Sequence, residues 1–238
     1  MNPQTTARVT GVLFLITFIT SIPALLLYAP VLNDPRYILG AGADTQVFLG
    51  AFLELLLIIA NIGTAVALFP ILKRQNESVA LGYVTARVVE CAFIAVGILS
   101  VLSVVTLRQQ AAGADAGSLV AAGKSLVAVK HWTFLLGPGF VVGIGNGLLL
   151  SYLMYQSGLM PRPMAALGLI GGPLVCASGI AVMFGVFEPG SVWQGIATLP
   201  EIAWELSLGI YLTVKSFKPC PITATDALIQ IPGSASPA

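Results

Sequence analysis

Six stretches of this chain are each long and apolar enough to cross a bilayer, which takes roughly twenty mainly apolar residues. They run over about Val9–Tyr28, Thr45–Leu72, Val79–Leu107, Trp132–Tyr155, Met164–Phe187 and Gln194–Val214. Backbone groups in lipid must be satisfied within their own helix or around a closed barrel. Barrel strands alternate apolar and polar residues over about ten positions, and runs such as Leu55–Ala60 show no alternation. The expectation is an all-α, polytopic integral membrane protein. A single bundle of six transmembrane helices would fill residues 1–218, followed by a disordered cytoplasmic tail over 219–238, rich in Pro, Ser, Thr and Ala. Of 238 residues, 57% are hydrophobic and 9% charged, and mean hydropathy is +0.93; soluble chains carry roughly 25% charged residues. A net charge of +1 leaves no basic footprint for nucleic acid, so none is expected as a partner.

Arg8 ahead of Val9–Leu27 has the outline of a secretory signal, but the apolar run is longer than a signal's, about 7–15 residues. It reads as the first membrane helix. The links are turn-like: Asn33-Asp34-Pro35 and Gly40–Gly42 between the first two spans, and Lys73–Ser78 after the second. Arg108–Lys130 is the longest link, with Ser118–Val129 suited to a short interfacial helix. Lys and Arg excess marks the cytoplasmic side. Arg8, Lys73, Arg74, Arg162, Lys215 and Lys218 fall on one side; Arg36, Arg108, Lys124 and Lys130 fall on the other. Both termini are therefore expected in the cytoplasm, with the bundle in the plasma (inner) membrane. Cys91 and Cys176 read as small core residues and Cys220 lies in the tail, which suggests no disulfide framework.

Five ionisable residues interrupt the apolar segments: Glu54, Arg87, Glu90, Glu201 and Glu205. A charge at bilayer depth is costly unless neutralised, paired or hydrated. Arg87 and Glu90 are three apart on one helix face and form a candidate structural ion pair; Glu201 and Glu205, four apart, also share a face. At about 1.5 Å per residue, Glu54, Glu201 and Glu205 sit roughly 10–16 Å below the outer ends of their helices and Glu90 near mid-membrane. Four glutamates against one arginine leave an excess of negative charge that needs a proton, a cation or water. Glu54, Glu90, Glu201 and Glu205 are thus candidate ligand-binding residues of an acidic pocket open to the outer side. Asn61 and Asn146 are candidate interhelical hydrogen bonders.

Gly139, Gly143 and Gly147 recur at four-residue spacing and suit close helix packing, with a homodimer through that face as a further expectation. Gly171-Gly172-Pro173 should kink the fifth helix. One histidine, His131, and no closely spaced cysteine pair leave no typical metal site, although Glu54, Glu90 and Glu205 offer oxygen ligands for a hard cation. No Gly-x-Ser-x-Gly elbow, phosphate loop or dinucleotide fingerprint is present. No catalytic residue, metal or cofactor is therefore assigned.

The opening Ala7-Arg8-Val9-Thr10-Gly11-Val12-Leu13-Phe14, the Arg87-Val88-Val89-Glu90 core of the third span and Pro163–Pro173 at the start of the fifth form one set of motifs. Pro200-Glu201-Ile202-Ala203-Trp204-Glu205-Leu206 in the sixth, with Lys215-Ser216-Phe217 after it, completes the set. On these the chain, from about Ala7 to Lys218, resembles the domain-of-unknown-function 4386 family of bacterial multi-pass membrane proteins. Ser216 stands where that pattern suggests glycine. The resemblance implies a six- or seven-helix membrane fold and carries no assigned activity.

The functional expectation is binding or permeation of a small cationic or proton-coupled solute through the acidic pocket, with membrane lipids as surroundings. Two alternatives remain. One is an intramembrane enzyme using a glutamate as general base on a lipid-like substrate; the other is a structural or regulatory subunit without chemistry.

Overall fold

The computed structural model describes residues 2–40, 42–113 and 115–223. Six long helices account for most of them: α1 (Pro3–Leu27), α2 (Asp44–Leu72), α3 (Glu77–Gln109), α4 (Ala116–Ser157), α5 (Arg162–Met183) and α6 (Val192–Lys215). Short helical turns at Ala29–Asn33, Tyr37–Leu39 and Pro221–Thr223 complete the helical structure, and no strand occurs among the described residues. Within the expected tail, Pro221–Thr223 forms a helical turn, with the Ile222 carbonyl accepting a bond from Arg74; residues 224–238 lie outside the described residues.

Each helix packs on its neighbours in sequence, and α6 returns to α1, so the six close into a ring. Helix starts follow side-chain caps: Asn2 caps α1, Asn76 caps α3, Asp115 caps α4 and Ser191 caps α6, each accepting from a backbone N–H of the first turn. Exposed Asp115 is held below the usual carboxylate range, first by the Ser118 backbone N–H and then by its hydroxyl.

The helices turn their small residues inward. The buried face of α1 is Thr6, Ala7, Thr10, Gly11, Phe14, Thr17, Thr20 and Ala24, while Ile19 and Leu26 are about two-thirds exposed. Apolar attraction cannot hold helices together in a medium as apolar as leucine; close backbone approach and hydrogen bonds do that work, and both need small or hydroxylated residues. At Gly11 the packing is so tight that a Cβ would strike the Thr213 backbone of α6. Helices α1 to α5 are long and apolar enough to cross a membrane. The sixth expected span, α6, is not among them: at 24 residues it is long enough, but Gln194, Pro200, Glu201 and Glu205 reduce its apolar character.

The fourth helix departs most from expectation. The link expected over Arg108–Lys130 ends at Asp115, and its supposed interfacial helix Ser118–Val129 is the first half of a continuous 42-residue helix. Two wide π-type windings, Leu135–Val141 and Gly143–Leu150, occupy its middle. Pro138 has no N–H to donate and lies inside the first winding. The N–H groups of Val142 and Ser151 reach back five residues, to Gly137 and Asn146. Such windings are frequent at functional sites.

Apolar core forms two clusters. One, at the end where the N-terminus, the turn at Leu159 and the end of α6 meet, includes Phe14, Leu68, Leu72, Tyr83, Leu153 and Leu212. The other, at the opposite end, includes Tyr28, Ile38, Leu57, Ile98 and Val101. Between them in sequence along α2 and α3 lie Asn61, Thr64, Arg87 and Glu90, all buried. Ser216, just past α6, adopts φ 59° and ψ −167°, a region that only glycine occupies without strain. The glycine that the sequence pattern suggested there is what the backbone favours; the serine hydroxyl instead accepts a bond from Arg8 Nε, 3.3 Å away.

Candidate functional site: three buried acidic groups

The five ionisable positions separate into three groups. Glu54 of α2 is met by a cation that the sequence placed in a loop. Lys130 Nζ lies 2.7 and 2.8 Å from its two carboxylate oxygens, and Tyr28 OH donates to one of them at 2.9 Å. Lys130 also sits over the Tyr28 ring, 4.7 Å from its centroid, and is only 4% exposed. Gly97 of α3 makes room for the ammonium: a Cβ there would lie 3.2 Å from Nζ. Thus Glu54, Lys130 and Tyr28 tie α2, α4 and the end of α1 together. The reading of Lys130 as an outer-loop charge is corrected by the early start of α4, which carries the residue into the bundle.

Arg87 and Glu90 of α3 form the second group. Arg87 Nη1 lies 2.7 Å from Glu90 Oε2, Nη2 donates to Asn61 Oδ1, and Asn61 Nδ2 donates to Glu90 Oε1 at 2.9 Å. The three side chains close a ring of charge-assisted bonds across α2 and α3, and the guanidinium faces the Phe14 ring of α1. Only Arg87 Nε is left without a partner.

Glu201 and Glu205 of α6 are different. They line a cavity of about 160 Å³ between α4, α5 and α6, walled by Phe134, Val142, Val175 and Ile202 with Ser178, Gln194 and Thr198 as polar lining. At a liquid share of about 30 Å³ each, that is room for about five waters. Glu205 accepts a bond from Asn146 Nδ2 of α4, in the second winding, while Asn146 Oδ1 has no partner. Glu201 is 3% exposed, and neither of its carboxylate oxygens has a hydrogen-bond partner in the protein. Trp204, three residues past Glu201 on its side of the helix, donates to the Asn146 carbonyl at 3.0 Å and fixes α6 against α4. The Arg87 guanidinium bonds to Glu90 and Asn61 and to neither of these glutamates.

The glycines explain how α4 and α5 close around Glu201. A Cβ on Gly147 would strike Gly172 and lie 2.8 Å from Glu201 Oε2; one on Gly143 would meet Cys176 Sγ and the Gly172 carbonyl. Gly139 stands apart, its nearest such neighbour being the Phe134 carbonyl of its own helix at 3.6 Å. Gly143 and Gly147 therefore pack against α5 within the chain.

The four glutamates do not form one pocket. Glu54 and Glu90 are each neutralised by a bonded cation, and the cavity belongs to Glu201 and Glu205. Nor do Glu54, Glu90 and Glu205 meet as oxygen ligands; among the described residues no group of three or more His, Cys, Asp or Glu is placed to hold a metal. The sequence missed Lys130, Tyr28 and Trp204. One signal was available for the lysine: an excess of buried carboxylates demands a further cation.

No curated protein and no solved structure matches the chain. The family model for a domain of unknown function, DUF4386, matches residues 9–216, and the chain belongs to that family.

Proposed function

We propose that this is a six-span integral membrane protein of the plasma membrane, with both termini cytoplasmic, that binds and passes protons or a small cationic solute through the Glu201–Glu205 cavity. The observation that carries the reading is the unpartnered Glu201 carboxylate, buried beside a second carboxylate and facing a cavity. Two such groups without a bonded cation cannot both stay ionised in a dry bundle; they take up a proton, a cation or water. The cavity runs along α6 from Gln194 to Glu205, about 16 Å of helix rise, from the helix end to roughly half the depth of a bilayer core. It suits a vestibule entered from the Gln194 side.

A sixth span is supported by the closing of the ring, since α6 packs on α1 and α5. Orientation is supported by charge. With Lys130 withdrawn from the loops, Arg8, Lys73, Arg74, Arg162, Lys215 and Lys218 stand against Arg36, Arg108 and Lys124.

Proteoliposomes loaded with a pH-sensitive dye test the activity. Under an imposed potential the wild type should acidify or alkalise the lumen faster than empty liposomes, and Glu201→Gln and Glu205→Gln should abolish the difference. Wild-type flux no greater than that of empty liposomes, across protons and small amines, would overturn the reading.

A further inference from the structure

We infer that a groove between α1 and α2 is a binding site for one anionic phospholipid, drawn from the leaflet at the end where the chain begins. The groove has a volume of about 760 Å³, far larger than the acidic cavity, and lies on the outward side of the bundle. Its floor and walls include Thr6, Val9, Leu13, Gly63 and Ala67, and its mouth carries Asn2 and Arg74. Small residues line it: Gly63 and Ala67 sit one turn apart on α2, and Leu13 of α1 packs so close to Gly63 that a Cβ there would lie 3.0 Å from its Cδ1.

Length and charge identify the occupant. From Gly63 to Arg74 the helix rises about 16 Å, close to half of a hydrocarbon core of about 30 Å, which is the reach of one leaflet's acyl chain. The lining contains one cation, Arg74, and no acidic residue. Arg74 Nη1 donates to the Ile222 carbonyl at 3.3 Å, which holds the guanidinium at the mouth with donors to spare for a phosphate. An apolar slot of leaflet depth with a fixed arginine at headgroup level complements an anionic lipid. A soluble anion would leave the slot unfilled, and a peptide would have to bury its backbone polar groups against apolar walls. The inference rests on the membrane-spanning reading and is independent of the acidic cavity.

Protein reconstituted in phosphatidylcholine vesicles, with or without phosphatidylglycerol, then extracted in mild detergent, is weighed intact by native mass spectrometry. One phosphatidylglycerol per chain should be retained in preference to phosphatidylcholine. Arg74→Gln, at an exposed position, should weaken that retention about fivefold, the effect of one basic group at a membrane surface. Ala67→Leu should fill the slot and reduce retention of either lipid. Equal retention of the two lipids, or retention unchanged in both variants, would overturn the inference. So would a stable dimer that Ala67→Leu dissociates, since a second copy would then fill the groove. Proton flux through Arg74→Gln should equal that of wild type, so that this inference and the cavity reading fail separately.

Discussion

Glu54 and Glu201 are the same side chain at similar burial, and the bundle treats them in opposite ways. Around Glu54 every carboxylate oxygen has a donor: a lysine on both and a tyrosine on one. Around Glu201 there is none. A buried carboxylate that is fully bonded holds helices in register. One left bare faces a cavity, and on the proposed function it is the group that takes the ligand. The comparison shows why counting buried charges is insufficient; what separates a strut from a site is whether a cation in the chain reaches the acid.

The sharpest way to break this contrast is to remove the cations. Arg87→Ala and Lys130→Ala should each lose about 3–5 kcal/mol, the cost of leaving one member of a buried pair uncompensated. Arg87→Ala should be the worse, because it also strands Asn61. Each loss should be largely recovered by neutralising the partner, in Arg87→Met with Glu90→Gln and in Lys130→Met with Glu54→Gln. Thermal unfolding in detergent reads the effect, and no recovery in the double variants would refute the pairing.

A smaller effect sharpens the Glu54 side. Tyr28→Phe removes one bond to a charged acceptor, a loss of about 1.5–3 kcal/mol, and the same unfolding measurement should place it well below Lys130→Ala. On the Glu201 side, Gly147→Ala drives a methyl into Gly172 and toward Glu201 Oε2, so overpacking should cost about 1–3 kcal/mol. Gly139→Ala meets no other helix and should stay within about 0.5 kcal/mol of wild type. If both alanines behave alike, the close approach of α4 and α5 is wrong. A similarly small effect belongs to Glu201→Gln. With no bonded cation to strand, the amide should unfold within about 1 kcal/mol of wild type; a loss as large as that of Lys130→Ala would make Glu201 a strut and end the distinction.

Much of the fold was legible because lipid imposes one simple requirement, a long apolar helix. Observed helix ends at Leu72 and Lys215 lie within a residue of the expected Leu72 and Val214. The start of α4 was hidden because Gly117, Ser118, Gly123, Lys124 and Ser125 give its first half the composition of a surface link. A helix that projects past the apolar layer carries polar residues there for the same reason a loop does. That single misplacement concealed Lys130, and with it the fact that Glu54 was already neutralised. At the site, helical spacing put Arg87 with Glu90 and Glu201 with Glu205, because neighbours on one helix are fixed by its pitch. Which helices would face one another, and hence that Asn146 and Trp204 would join α4 to α6, depends on the closing of the ring, which no local pattern encodes.

The composition of α6 has a consequence for how the protein is made. A charged side chain at the centre of an inserting helix costs about 2.5–3.5 kcal/mol on the scale that governs release into the bilayer, and α6 carries two carboxylates. It follows α1 and α5 in the chain and packs on both. On the proposed six-span reading, insertion of α6 is therefore coupled to assembly: α6 would enter as a companion to helices already in place, with Gly11 and Gly171 offering the close seats that its backbone fills. Weakening those seats would show up first as a shortage of mature protein in the membrane, before any loss of function in the molecules that reach it.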